Sequence, residues 1–189
     1  SRHVTPIDAL LTPALRPRGP AIGAICGAFV RTRKFSFLLL STYFYVGQDF
    51  GGDNIHIMFC LSKILTFFQS PFIICGDFNI TSDAMEASPW LTEVGGAVWA
   101  TTKPTCTAGQ IGSVIDYATR STGMARSIKG ISVSPGPSAP HLAVFCQLNV
   151  DLASMTTQVI VMPRTLPPAV SPLPTPVLWD KTIPFHSLN

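Results

Sequence analysis

The sequence predicts an α/β (α+β) fold in which sheet and helix occupy separate layers, and two observations predict it. Short apolar runs of strand length, bounded by Gly, Pro and polar turns, recur at 35–46, 71–75 and 142–150. Between the first two lies a segment of helical period, at 55–69. Strand, helix, strand in that order is the unit from which layered α/β sheets are built.

Each element follows from its own residues. Residues 1–20 carry Pro6, Pro13, Pro17 and Pro20 without sustained periodicity, so an irregular lead-in is expected. Small and β-branched residues from Ala21 to Val30 predict a strand, and Arg31-Thr32-Arg33-Lys34 makes a polar turn. That turn is a solvated one or, alternatively, a phosphate-tracking patch. Phe35 to Val46, rich in aromatic and β-favouring residues, predicts a second strand paired with the first as a hairpin. Beyond Gly47, Asp53 or Asn54 is expected to cap a helix over 55–69, whose Ile57, Leu61, Ile64, Leu65 and Phe68 share one face. Pro71 stops that helix, and a buried strand runs through Ile73 and Ile74 to Gly76. A short helix is expected at 85–92, with further strands at 95–100, 113–120, 128–133 and 142–150. Prolines recur from Pro163 to Pro184, so a domain at 21–151 is expected to be followed by a Pro-rich linker or disordered tail at 152–189.

Composition sets bounds on function. With 47% hydrophobic and 12% charged residues in 189, the chain can bury a core, which excludes disorder throughout. Thirteen basic against 10 acidic residues give a net charge of +3, too slight a bias to predict nucleic-acid binding from charge alone but compatible with a phosphate-rich partner. The cysteines Cys26, Cys60, Cys75, Cys106 and Cys146 are dispersed with no CxxC pair. Buried thiols in a reducing compartment are expected rather than a disulfide frame or a zinc site, so the expected location is intracellular, with the nucleus as the narrower option. No apolar stretch reaches the roughly 18 residues of a membrane span. A chain that begins at Ser1 is expected to be a fragment of a longer protein.

The residues that point to chemistry are Gly76-Asp77-Phe78-Asn79. They follow directly on a buried strand, so a carboxylate and a carboxamide emerge together where ligands bind in α/β sheets, beyond the strand's carboxyl end. The competing account is an Asx turn in which these side chains cap local backbone amides. Ser113-Val114-Ile115-Asp116-Tyr117 and Ser138-Ala139-Pro140-His141 follow downstream, and Tyr43 and Tyr45 alternate onto one face of the earlier strand, for packing or for ligand contact. Phosphodiester hydrolysis needs a base for water and donors or a cation to hold the phosphate oxygens. Asp, Asn, His and Tyr supply all of these except the cation.

With these motifs in this order, the chain resembles the endonuclease/exonuclease/phosphatase superfamily, the DNase I-like enzymes, and its pattern is most similar to the retroelement-type endonuclease domains. The carriers are the Gly-Asp-Phe-Asn run, the later Asp116-Tyr117 and His141 just before the last strand, supported by Ser88-Pro89-Trp90-Leu91 and Pro104-Thr105-Cys106, over roughly residues 18 to 150. The resemblance implies a partial DNase I-like β-sandwich flanked by helices and Mg²⁺- (or Mn²⁺-) dependent cleavage of nucleic acid, DNA ahead of RNA. A reverse-transcriptase-like region in a longer product is an optional partner. Asp77 would orient or deprotonate water, and Asn79 would hold a phosphate oxygen or assist the metal site. Asp116 would fix the tautomer of His141, and Tyr43, with Tyr45 second, would contact phosphate. Two departures accompany the match. The family holds its metal chiefly through an early glutamate, usually with an asparagine, yet no Glu precedes Glu86 and no Asn precedes Asn54. The metal ligands are therefore unassigned, and the first half of the fold is expected to be absent. Pro140 also stands where the family often has Asp. The alternatives are a catalytically inactive nucleic-acid-binding remnant and a phosphatase of the same fold acting on a small-molecule or lipid phosphate.

Overall fold

The computed structural model describes residues 3–32, 35–136 and 139–149. The expected tail at 152–189 lies outside them, as do Arg33, Lys34 and Ser138. Among the described residues eight strands and three α-helices follow one another as β1 (His3–Pro6), β2 (Ile25–Arg31), β3 (Ser36–Tyr43), α1 (Gly52–Phe68), β4 (Phe72–Asp77), α2 (Ser82–Glu86), α3 (Pro89–Glu93), β5 (Gly96–Trp99), β6 (Asp116–Ser121), β7 (Ile128–Pro135) and β8 (Leu142–Leu148). Six strands form a mixed sheet in the order β1-β2-β3-β4-β6-β5, and β7 and β8 form a separate antiparallel hairpin. The expected β2–β3 hairpin is antiparallel, whereas β3 and β4 are parallel and joined through α1.

Period-two alternation gives the large sheet two apolar faces. Leu38, Leu40, Phe72 and Ile74 point to one side, where Ile57, Leu61, Ile64 and Leu65 of α1 cover them in the main core. Phe37, Ile73, Trp99 and Ala118 point to the other, against Ile131, Cys146 and Leu148 of the β7–β8 hairpin. Phe68, on the predicted face of α1, stacks on Phe29 of β2 with ring centroids 5.7 Å apart. No helix among the described residues is long and apolar enough to cross a membrane.

Four local expectations are corrected. Within the stretch expected to be irregular, residues 3–6 add an edge strand to β2, and Ile7 and Leu11 are buried in the main core. Apolar anchoring outweighs the scattered prolines there. Neither Asp53 nor Asn54 caps α1; the cap is Gly51. Asn54 lies inside the first turn, fully buried, where its Oδ1 accepts from the Tyr45 amide at 2.7 Å and its Nδ2 donates to the Tyr45 carbonyl at 3.0 Å. The helix expected at 85–92 is two short ones, because Pro89 fits only a first turn and Ser88 caps it by accepting from the Leu91 amide at 3.2 Å. The strand expected from Ser113 starts at Asp116, since Ser113 pairs instead with Cys106.

Candidate functional site

The site lies where β4 ends and β6 begins. In their antiparallel register Asp77 and Asp116 are direct partners, and in the parallel β3–β4 register Tyr43 partners Asp77. Register partners project to the same side of a sheet, so three residues far apart in sequence share one rim on the face that the β7–β8 hairpin covers. The strands approach closely here because residue 76 is glycine. A Cβ at that position would lie 2.0 Å from the Thr42 carbonyl oxygen of β3.

His141 enters from the other layer, immediately before β8. Its Nδ1 lies 2.9 Å and 3.1 Å from the two carboxylate oxygens of Asp116. Nδ1 therefore carries the proton in that bond, and the other ring nitrogen is left for a ligand or proton transfer. The hydrogen bond that His141 donates to Asp116 raises the His141 pKa, burial opposes the rise, and the charges of Asp116 and Asp77 add to it. Asp77 is also shifted upward, first by burial and then by the facing Asp116 carboxylate, against the lowering effect of its hydrogen bond with Asn79 and of His141. Like charges opposite one another across a ladder are unfavourable, so this pair favours a proton or a cation beside it.

Asn79 serves both accounts weighed from the sequence. Its φ of +49° puts it in the left-handed region, and its backbone amide donates to Asp77 Oδ1 at 3.2 Å, which is the Asx turn. Its Nδ2 donates to the Phe44 carbonyl at 2.8 Å, tying the end of β3 to the turn after β4. The carboxamide thus aligns the two strand ends. The two tyrosine rings meet edge to face, with centroids 5.8 Å apart, but their surroundings differ. Tyr43 is 45% exposed beside Asp77, while the Tyr45 hydroxyl donates to the Pro20 carbonyl at 3.3 Å and its ring packs against the main core.

Thr105 belongs to the same machinery, although no role for it was apparent in the sequence. Its buried Oγ1 accepts from the amides of Asp116 at 2.9 Å and Ile115 at 3.1 Å, and its carbonyl accepts from the Leu142 amide at 2.7 Å. Two residues on, the Thr107 amide and hydroxyl both donate to the Pro140 carbonyl, each at 2.9 Å. One short segment thereby fixes both Asp116 and His141. A loop threonine has no periodicity to betray such a role; only its place in the Pro104-Thr105-Cys106 segment hinted at it.

Ligand atoms of Asp77, Asp116 and His141 all lie within 4.8 Å of one another. Two carboxylates and an imidazole at that spacing fit a hydrated divalent cation, which needs few protein oxygens if water completes its shell. The earliest glutamate takes no part in this cluster: Glu86 Oε2 accepts from the Val98 amide on the edge strand β5 at 2.5 Å.

The chain is thus an α/β protein whose mixed sheet, flanked by helices, carries an Asp–His pair and a second aspartate at its strand ends. The Endonuclease/Exonuclease/phosphatase family model matches residues 34–170, and the chain belongs to that family. Among solved structures it is similar to the endonuclease domain of TRAS1, a telomere-specific non-LTR retrotransposon, at 17% identity and a TM-score of 0.62, covering 80% of this chain and 70% of that one. It is also similar to a mannosyl-6-phosphatase from Bacteroides thetaiotaomicron, at 14% identity and a TM-score of 0.51, covering 66% of this chain and 56% of that one. A third is an endonuclease/exonuclease/phosphatase family protein from the same bacterium, at 14% identity and a TM-score of 0.50, covering 70% of this chain and 56% of that one. The chain thus spans little more than half the length of the two bacterial proteins. A search of curated proteins gives no match.

Proposed function

We propose that this chain carries a site for divalent-metal-dependent hydrolysis of nucleic-acid phosphodiesters, with DNA as the first substrate to test. The observation that carries the reading is the Asp116–His141 hydrogen bond at 2.9 Å, with Asp77 opposite Asp116 in the strand register. Likeness of fold to a retrotransposon endonuclease domain supports the choice of nucleic acid among phosphate esters. Asp116 holds the imidazole of His141 in one tautomer, so that its free ring nitrogen faces the phosphate. Asp77, its basicity raised by burial, orients and deprotonates the attacking water. Asn79 supports a phosphate oxygen, and exposed Tyr43 contacts a neighbouring phosphate with its hydroxyl.

Asp77 and Asp116 are the groups that would hold Mg²⁺ or Mn²⁺. The ion would neutralise charge on the phosphate oxygens. Purified protein with either ion should nick supercoiled plasmid, EDTA should stop it, and His141→Ala should lower the rate by about 10² to 10⁴-fold, the usual worth of a general acid or base. Full activity in that variant would refute the assignment. Metal-dependent release of phosphate from a sugar phosphate, with plasmid left intact, would transfer the same residues to phosphomonoester chemistry.

A further inference from the structure

Two cysteines outside the proposed chemistry face one another between the layers. Cys75 lies on β4, two residues before Asp77, and Cys146 lies on β8, the strand that follows His141. Both pack into the small apolar cluster between the large sheet and the hairpin, Cys75 from the sheet side and Cys146 from the hairpin side. Neither residue is fully buried. We propose that Cys75 and Cys146 form a redox-sensitive pair that closes into a disulfide under oxidising conditions, clamping β8 onto β4 and so joining the layers that carry His141 and Asp77.

The sheet register argues against the other partners. Cys26 pairs with Ser41 and Ser41 with Cys75, so Cys26 stands two strands from Cys75. Two interstrand spacings are roughly 9.6 Å, beyond the Cα separation that a disulfide spans. Cys60 sits on α1, on the opposite side of the sheet, and buried Cys106 bridges to Ser113 and His141.

The chemistry balances with a low-molecular-weight disulfide such as oxidised glutathione. One cysteine thiolate attacks it and displaces one glutathione. The second cysteine attacks the mixed disulfide and displaces the other, so both cysteines are oxidised, glutathione is reduced, and the two thiol protons leave on the two glutathione molecules.

The test incubates the reduced full-length chain with oxidised glutathione, blocks remaining thiols with an alkylating agent, and maps peptides by mass spectrometry. A linked Cys75–Cys146 peptide is expected, with Cys26, Cys60 and Cys106 free of intramolecular links, and dithiothreitol should reverse it. The oxidised protein should melt several degrees higher than the reduced one, because closing a long loop restrains the unfolded chain. Cys75→Ser and Cys146→Ser should each lose the linked peptide and the oxidation-dependent shift. Free or glutathione-capped Cys75 and Cys146 after oxidation, or linkage to another cysteine, would overturn the proposal. Peptide mapping uses the unaltered protein, so its result holds even if a serine variant fails to fold.

Discussion

His141 and Asp116 form the pair on which the site turns, and their coupling is measurable. The hydrogen bond raises the His141 pKa above the ordinary 6.5. Asp116→Asn should therefore bring the imidazole titration, followed by NMR, back down toward that value; an unchanged titration would show that the contact does not persist in solution. The same shift has a sign for stability. A histidine that holds its proton more tightly when folded stabilises the fold fully below the unfolded pKa, and the contribution is lost as pH rises through the higher folded pKa. Asp77 acts in the same direction at lower pH: its raised pKa favours the protonated folded form, a contribution lost as pH climbs above 3.8. The urea midpoint should accordingly decline from mildly acid toward neutral pH, and Asp116→Asn should flatten the portion above pH 6.5. Asn79 offers a separate check. Asn79→Ala loses the bond to the Phe44 carbonyl and leaves alanine, which tolerates the left-handed conformation less well than asparagine, at a combined cost of about 1–3 kcal/mol. Asn79→Gly keeps the backbone freedom and should cost less in the same denaturation series.

Among the elements, the β4–β6 ladder and the segment around Thr105 decide whether those residues meet. Thr105→Val keeps the volume but leaves the amides of Ile115 and Asp116 without their acceptor, at a cost of about 1–3 kcal/mol. Its distinguishing effect should fall on Asp116: the His141 titration should shift downward as it does in Asp116→Asn, whereas a purely structural role would lower the denaturation midpoint and leave the titration alone. Gly76 has no such latitude, since any side chain meets the β3 backbone. The glycine of the Gly76-Asp77-Phe78-Asn79 run is thus a packing requirement. Phe78 stacks on Tyr117 with centroids 4.5 Å apart, so the run also anchors β4 to β6.

For the whole molecule, the consequence is a cluster of acidic groups held between two layers. Addition of Mn²⁺ should raise the melting temperature, because a ligand that binds only the folded state at about 100 times its Kd adds roughly 2.7 kcal/mol. EDTA should reverse the rise and Asp77→Ala should abolish it. A melting temperature indifferent to Mn²⁺ would mean that Asp77 and Asp116 take a proton instead of a cation. Glu86 is committed to the β5 edge, so among the described residues a cation here would rest on Asp77 and Asp116, beside His141.

Much of the architecture was legible from residue periods alone. The hairpin of β2 and β3, the apolar face of α1 and the buried β4 ending in Gly76-Asp77 depend on local alternation, helical spacing and turn residues, which one stretch of chain carries by itself. The ordered motifs also marked Asp77, Asn79, Asp116 and His141 as candidates. What the sequence did not contain was register. That Asp77 faces Asp116, that Tyr43 rather than Tyr45 is the exposed ring beside them, and that Thr105 holds both Asp116 and the approach to His141 follow from strand pairing across the sheet and from loop contacts between layers. Those contacts join residues tens of positions apart. No local pattern encodes them, because the burial and hydrogen bonding that fix them exist only once the layers have packed.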